Sequence, residues 1–384
     1  MSKKRLLAVW CGTSTPGFMG GGDRVVWESW SRWHKLGLAD VSMLTSAFGA
    51  IALERFGFDI NTIVIDGKGI PVNPLRLGYV LRLLASLRIV WRRSDHAVVH
   101  AGTPYFYDYL PALIVRKRSR ANPALVVNLP HIIPRPWERH GGRISNLLAW
   151  LEQRVMIQII RRSADLVIAD NPQVRADLIR RGVPGERIAL IKMGVFAKAR
   201  PYPDGNRSYD AVYLGRLARQ KGTHTLLDAW SILLNTMPNA RLALVGRDEV
   251  DFDVRKEIAE RGLRDHVEVH CDLSDAQVVE LLRRSRVFVT ASVEEGYGLS
   301  VLEAMAVGLP CVTFDIPAFR FAFPLGRLPA RDSTAGALAE TLREVLTDES
   351  LYQRLESEVE RLPIETWDEA AMDLWTSVTA AVRS

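Results

Sequence analysis

Two carboxylates and two cations carry the most specific chemistry in the chain. Glu295 and Glu303 stand eight positions apart in the stretch Val287 to Thr313, VFVTASVEEGYGLSVLEAMAVGLPCVT. Arg216 and Lys221 stand five apart in Gly215-Arg216-Leu217-Ala218-Arg219-Gln220-Lys221-Gly222-Thr223. A guanidinium forks onto two oxygens and an ammonium acts as a point charge, so this pair, framed by glycines ahead of a helix, suits a pyrophosphate. A solvated loop with incidental positive charge is the plain alternative, and the acidic character of this half of the chain weakens it. Metal-type spacing of cysteines is absent, and Asp251-Phe252-Asp253 fits the polar entry to a helix, so no metal is assigned.

These side chains need elements to hold them. Val287 to Val289 reads as a strand, Glu294 to Gly298 as a loop, Leu299 to Met305 as a helix stopped by Gly308-Leu309-Pro310, and Cys311 to Thr313 as the next strand. In such a βαβ unit the acids lie at the carboxyl end of a parallel strand, where α/β sheets bind ligands. A strand at Ala211 to Leu214 likewise leads into the Arg216–Lys221 loop. Further short strands recur at Leu6 to Trp10, Val41 to Thr45, Thr62 to Ile65, Ala97 to His100, Ala124 to Asn128, Leu166 to Ala169, Leu242 to Val245 and Val267 to His270. Alternation of strands with helical segments predicts an α/β fold with parallel sheets.

Two more features sit at strand ends. Gly20-Gly21-Gly22 precedes a helix expected from about Arg24 to Lys35, with Val25, Trp27, Trp30 and Trp33 buried. Three consecutive glycines carry an entropic cost that a plain connector need not, which favours backbone amides approaching an anion. No G-x-G-x-x-G can be written there, and Gly296-Tyr297-Gly298 fails the same pattern because Val301 holds the last glycine position. His131, in Asn128-Leu129-Pro130-His131-Ile132-Ile133-Pro134, lies just past a strand and is a candidate on position alone.

The 384 residues suit two domains, and nearly neutral mean hydropathy indicates a globular protein. Residues 1–196 hold 28 Lys and Arg against 14 Asp and Glu (+14), and residues 197–384 hold 22 against 30 (−8), matching the overall +6. The polar stretch Arg200 to Ser208 marks the junction. Three scattered cysteines, Cys11, Cys271 and Cys311, suit a reducing cytoplasm, and the short apolar start reads as a first strand rather than a signal peptide. Tyr79 to Arg93, with Arg82, Arg88, Arg92 and Arg93, is a basic, apolar helical stretch, and Arg116-Lys117-Arg118-Ser119-Arg120 adds a cluster. An anionic membrane surface or an anionic acceptor is the expected partner, against the alternative of a sheet-packing helix with solvated arginines. Nucleic acid is not expected, since no RNA-binding or zinc-finger motif occurs.

Taken in order, these motifs resemble the GT-B glycosyltransferases, most closely the large retaining family 4, glycosyl transferases group 1. The resemblance rests on Tyr213-Leu214-Gly215-Arg216 with Lys221-Gly222, and on Glu295-Gly296-Tyr297-Gly298-Leu299 with Leu302-Glu303-Ala304-Met305-Ala306 and Gly308-Leu309-Pro310. Ala164 to Ala169 and the N-terminal glycine loop add to it. It implies two Rossmann-like domains facing across a cleft: an acceptor-binding one at 1–196 with about 366–384, whose C-terminal helix returns to it, and a nucleotide-sugar-binding one at 197–365. It also implies that Glu303 binds ribose hydroxyls and that Arg216 and Lys221 bind the diphosphate. Glu295 with the amides of Gly296, Tyr297, Gly298 and Leu299 would contact donor sugar and phosphate, aided by Gly20 to Gly22 and Gly215, while His131 approaches the sugar from the other domain. Catalytic roles fall to His131, Glu295, Arg216 and Lys221. Two stretches depart from the family pattern: Met193-Gly194-Val195-Phe196 at the junction and Phe314-Asp315-Ile316-Pro317-Ala318-Phe319-Arg320 after the strand at Val312.

The implied activity is metal-independent, retaining transfer of a hexose from a nucleoside-diphosphate sugar such as a UDP-sugar, a co-substrate rather than a cofactor. The acceptor is a hydroxyl of a lipid-linked or growing cell-envelope glycan. The implied setting is cytoplasmic, peripheral on the inner face of the membrane. A GT-B-like sugar-nucleotide epimerase or hydrolase, and a non-catalytic nucleotide-binding partner, remain as alternatives.

Overall fold

A computed structural model of the chain describes residues 4–13, 21–67, 77–90, 95–138, 143–203, 206–248 and 252–383. The chain forms two compact units, Met1–Gly194 with Trp367–Ser384, and Val195–Thr366.

The first unit is a seven-stranded parallel sheet. Its strands are β1 (Lys4–Trp10), β2 (Ala39–Thr45), β3 (Asn61–Val64), β4 (Val98–Ala101), β5 (Ala124–Leu129), β6 (Leu166–Ala169) and β7 (Ile188–Leu190), in the order β3-β2-β1-β4-β5-β6-β7. Runs of valine, leucine and alanine make β4, β5 and β6 buried at every position, as strands covered on both faces require. The covering helices are α1 (Gly21–Lys35), α2 (Ala47–Arg55), α3 (Leu77–Val90), α4 (Phe106–Arg118), α5 (Arg143–Ser163) and α6 (Pro172–Arg180). Strand order reverses between β1 and β4, which opens a crevice at their carboxyl ends.

The second unit repeats the plan with six parallel strands. After the two-residue β8 (Gly194–Val195) come β9 (Tyr209–Leu214), β10 (Leu242–Val245), β11 (Val267–His270), β12 (Ser285–Thr290), β13 (Cys311–Thr313) and β14 (Arg327–Pro329). Their order is β11-β10-β9-β12-β13-β14, so the reversal falls between β9 and β12. The helices are α7 (Thr223–Leu233), α8 (Val254–Glu260), α9 (Asp275–Arg283), α10 (Leu299–Ala306), α11 (Pro317–Ala322), α12 (Ala335–Thr347) and α13 (Glu349–Glu360). Asp253 caps α8 by accepting from the Lys256 amide at 3.0 Å, the polar helix entry expected there, while Asp251 lies outside the described residues. After β15 (Glu365–Thr366), α14 (Trp367–Arg383) returns to the first unit and lies on α1. There the indole of Trp33 donates to the Ala371 carbonyl at 2.8 Å and its ring meets Trp375 at 5.1 Å.

Several expectations need correction. Helix α1 starts at Gly21 rather than Arg24, so Gly21 and Gly22 form its first turn, where amides lack helical partners and glycine costs least. Gly20 lies outside the described residues, as do Arg92 and Arg93. Arg82 is no surface cation: it is fully buried, donates to the carbonyls of Cys11 and Thr13 at 3.0 and 2.6 Å, and faces Asp66. A charge so deeply buried survives only with such partners. Arg116 is likewise held, by Asp165 and the Ser163 carbonyl. The stretch Phe314 to Arg320, which departs from the family pattern, runs into the short helix α11 at Pro317. No helix among the described residues is long and apolar enough to cross a membrane.

Candidate functional site

In the second unit the two loops at the strand reversal meet. Lys221 Nζ donates to Glu295 Oε1 at 2.8 Å, joining the loop after β9 to the loop after β12. The Ser292 hydroxyl donates to the same oxygen at 2.7 Å, so the carboxylate is fixed from two sides. Contact between the loops depends on Gly222, whose φ is 70°; a Cβ there would lie 2.0 Å from the Ala291 carbonyl oxygen. The Thr223 hydroxyl accepts from the Ala218 amide and tightens the turn that presents Lys221. Arg216 is half-buried, and its carbonyl accepts from the hydroxyl of buried Tyr213 at 2.8 Å. Burial, and then the charge of Glu295, push that phenol well above its ordinary range and keep it a donor. The remaining loop cation, Arg219, pairs with Glu257 at 2.7 Å and is structural.

The loop after β12 turns into α10 at Gly298, whose φ of 104° only glycine adopts readily. A Cβ at Gly298 would sit 2.6 Å from the Phe319 ring. Buried Phe314, Phe319 and Phe323 form an aromatic wall behind the turn, with Tyr297 set edge-on to Phe323 at 5.6 Å. That wall is the physical content of the atypical stretch. Arg320 points outward and pairs with Asp315 at 2.9 Å. Gly296 is exposed with open space before it, and Leu299 and Glu303 are half-buried on the first two turns of α10. Arg216, Lys221, Glu295 and Glu303 thus belong to loops and helix starts at one crevice. Positive charge, helix amides and carboxylates in that order can accept a diphosphate and the hydroxyls on either side of it.

In the first unit, the carboxyl ends of β1, β4, β5 and β6 surround a cavity of about 290 Å3. Its lining includes Trp10, Gly12, Gly22, Tyr105, Tyr107, Asn128, His131 and Asp170. The frame is a chain of buried hydrogen bonds. Trp30 Nε1 donates to His100 Nδ1 at 2.9 Å, and His100 Nε2 meets Asn128 Oδ1 at 2.9 Å. Burial lowers the His100 pKa to about 4, so the ring is neutral and its Nε2 proton is directed at Asn128. Asp108 ties the loops after β1 and β4 by accepting from the Cys11 amide at 2.6 Å and the Thr103 hydroxyl at 2.5 Å. Exposed His131 is positioned from behind: Gln153 of α5 donates to its carbonyl at 2.9 Å and accepts from the Ile133 amide at 2.7 Å. Tyr79, Tyr107 and Tyr105 stack in series, with centroids 4.4 and 5.6 Å apart, and present aromatic surface to the cavity.

Asp170 is the residue that sequence reasoning missed. It follows β6 directly, and no other described residue hydrogen-bonds or ion-pairs with its carboxylate. Burial raises its pKa to about 7. The position rule that singled out His131 would have found it too, since both lie just past a strand end. Aromatic faces, a carboxyl group and an imidazole around one cavity suit a carbohydrate, whose rings stack and whose hydroxyls hydrogen-bond.

Comparison with known proteins agrees with both halves. Residues 199–361 match the family model described as glycosyl transferases group 1, and residues 20–194 match that of a glycosyl transferase 4-like domain. The chain is similar to the GDP-mannose:cellobiosyl-diphosphopolyprenol alpha-mannosyltransferase of Xanthomonas campestris, at 31% identity over 271 residues, covering 68% of this chain and 64% of the relative. It is also similar to the mannosylfructose-phosphate synthase of Agrobacterium fabrum, at 32% identity over 222 residues, 51% of this chain and 48% of the relative. The chain thus spans less than two thirds of the length of either. Among solved structures, Anabaena HepE in complex with UDP and glucose superposes with a TM-score of 0.74 at 17% identity, over 98% of this chain and 100% of that one. This likeness is of fold.

Proposed function

The chain belongs to the GT-B glycosyltransferases, and from that premise we propose that it transfers a hexose from a nucleoside-diphosphate sugar to an acceptor hydroxyl, with retention of configuration and without a metal. In this reading Glu303 binds the ribose hydroxyls, and Arg216 and Lys221 bind the diphosphate. Glu295 and the amides of Gly296 to Leu299 contact the sugar and its phosphate. Departure of the nucleoside diphosphate builds negative charge on phosphate oxygens, which fixed cations and helix amides stabilise at no cost of reorganisation. His131 and Asp170 serve the sugar and acceptor side. The acceptor we infer is a glycan of the cell envelope, carried on a lipid diphosphate as the name of the Xanthomonas relative describes for that enzyme.

The observation that carries the proposal is the Lys221–Glu295 pair across the strand reversal. It holds a cation where a diphosphate is expected and a carboxylate where sugar hydroxyls are. Calorimetric titration with UDP-, GDP- and ADP-sugars tests it, alongside slow acceptor-free hydrolysis of each. Saturable binding of one nucleotide class, lost in Lys221→Ala and Glu303→Ala, is expected; undiminished affinity in both variants would sink the site assignment.

A further inference from the structure

Asn128 stands one residue from the end of β5, is 4% exposed and lines the cavity of the first unit. Which end of its amide faces the ligand is decided two side chains away. An indole nitrogen can only donate, so Trp30 Nε1, 2.9 Å from His100 Nδ1, requires that nitrogen to be without a proton. The neutral imidazole then carries its proton on Nε2 and gives it to Asn128 Oδ1 at 2.9 Å. A protonated ring would instead set two N–H groups against each other at Nδ1. With its carbonyl committed, Asn128 turns its NH2 group, two donors, toward the cavity, and no described residue accepts from it. The relay is held rigidly: His100 is fully buried, with Trp30 edge-on at 5.3 Å and Trp33 stacked at 6.0 Å. Neighbouring donors of the lining are spent within the protein. Trp10 Nε1 donates to the Thr13 hydroxyl at 3.0 Å, and Thr103 donates to Asp108.

We propose that Asn128 is a specificity-determining donor that reads a ring hydroxyl of the sugar in this cavity, and that His100 and Trp30 are the positioning residues that fix its direction. The inference rests on the carbohydrate reading of the cavity and deepens it. A hydroxyl oxygen accepts from the amide, and its own proton then needs an acceptor. Asp170 supplies one: β5 and β6 pair with Leu129 opposite Ala169, so the carboxyl that follows β6 stands on the neighbouring strand end and lines the same cavity. A donor and an acceptor on adjacent strands can bracket one hydroxyl. A deoxy sugar would leave the buried amide unpaired, the situation in which a polar site discriminates most strongly. Trp10 supplies the apolar face of the seat. Gly102 lets its ring cross the end of β4, since a Cβ there would lie 2.0 Å from a ring carbon. The ring that is read belongs either to the donor hexose or to the terminal sugar of the acceptor; both offer the same hydroxyls, and kinetics separate them.

Direction and sugar binding are both read on the full chain without turnover, so their failure and the failure of sugar transfer are separable. In 15N spectra of the ligand-free protein, with the His100 signals assigned by their loss in His100→Gln, a bare Nδ1 and a protonated Nε2 are expected. The opposite tautomer overturns the proposal. Saturation-transfer NMR with methyl α-mannoside and methyl β-cellobioside then reads binding, which the parent should show for at least one of them. Asn128→Asp, which turns an acceptor toward the ligand, should weaken it about tenfold. His100→Phe, which keeps a ring but releases the amide, should do the same, and His100→Gln, able to accept from Trp30 and donate to Asn128, should restore most of it. Unchanged nucleoside-diphosphate affinity in calorimetry shows that the fold is intact. No saccharide binding by the parent, binding by Asn128→Asp equal to the parent, or equal losses in His100→Gln and His100→Phe overturns the proposal. With GDP-mannose or UDP-glucose turned over, a raised KM for acceptor-free hydrolysis in Asn128→Asp identifies the donor hexose as the ring that is read. An effect confined to transfer onto the cellobioside identifies the acceptor sugar, and an effect on neither reaction counts against the proposal.

Discussion

The two crevices of the molecule are built on the same sheet plan and hold their groups in opposite ways. In the second unit the groups are charged and cross-linked: Lys221 and Glu295, 74 positions apart, neutralise each other across the strand reversal. In the first unit the cavity is framed by neutral hydrogen bonds through His100, Asn128 and Gln153, and its aspartate, Asp170, has no described partner. A site for a ligand that brings its own charge can keep ions paired until the ligand arrives. A site for neutral hydroxyls gains nothing from paired ions, and a buried carboxyl there shifts toward its protonated form.

The glycines break the comparison most sharply. Gly222→Ala forces a left-handed backbone on alanine and drives its Cβ against the Ala291 carbonyl, so a loss of about 3 kcal/mol or more is expected in chemical denaturation. Gly22→Ala, in the first turn of α1 with nothing within 4 Å of its Cβ, should be neutral or gain up to ~1 kcal/mol. Equal destabilisation by the two would mean that the loop contact at Gly222 is not what holds the second site together. If Gly22→Ala keeps its stability yet slows transfer, the defect lies in ligand approach.

Next in size come the charges. On the proposed reading, in which both side chains contact the donor, Lys221→Ala and Glu303→Ala should each weaken its binding by roughly 10–100-fold. Lys221→Ala also leaves Glu295 facing the donor phosphates without its counter-charge. Adding Glu295→Gln should therefore recover part of the loss, a non-additivity that a double-mutant cycle reads directly. Strict additivity would show that the pair is incidental to donor binding.

The same contrast explains what could be read from sequence. The second site lies on two contiguous loops, each flanked by a recognisable strand and helix start, so Arg216, Lys221, Glu295 and Glu303 were legible as charges at strand ends. Most strand positions in both sheets were legible from their apolar runs, β6, β10, β11 and β13 to the residue, whereas the three-residue edge strands β7 and β14 were not. The cavity of the first unit draws on four strand ends from Trp10 to Asp170, and although Asp170 shares the strand-end position of His131, nothing local in Tyr105 or Asn128 announces that the topology brings them together. Arg82 misled because a cation on an apolar helix reads as solvated, and only the tertiary partners Cys11, Thr13 and Asp66 make its burial tolerable.

The smallest effect concerns Asp170, and its pH dependence identifies it. With a carboxyl raised to about 7 in the fold and ordinary when unfolded, both states hold the proton below about pH 4, and the group contributes nothing. Between about pH 4 and 7 the unfolded chain ionises while the fold keeps its proton, so stability falls as pH rises, and the full cost is present above pH 7. Asp170→Asn removes that cost: the variant should match the parent near pH 4 and exceed it by roughly 1–2 kcal/mol near pH 8, the open cavity mouth keeping the gain modest. His100 works with the opposite sign, since a pKa lowered to about 4 costs stability as pH falls below about 6.5. The difference between variant and parent, rather than either curve alone, therefore isolates Asp170. Acceptor-dependent transfer should drop in Asp170→Asn while donor affinity holds. A variant no more stable than the parent at any pH would mean that Asp170 is solvated and that the first crevice is as open to water as the second.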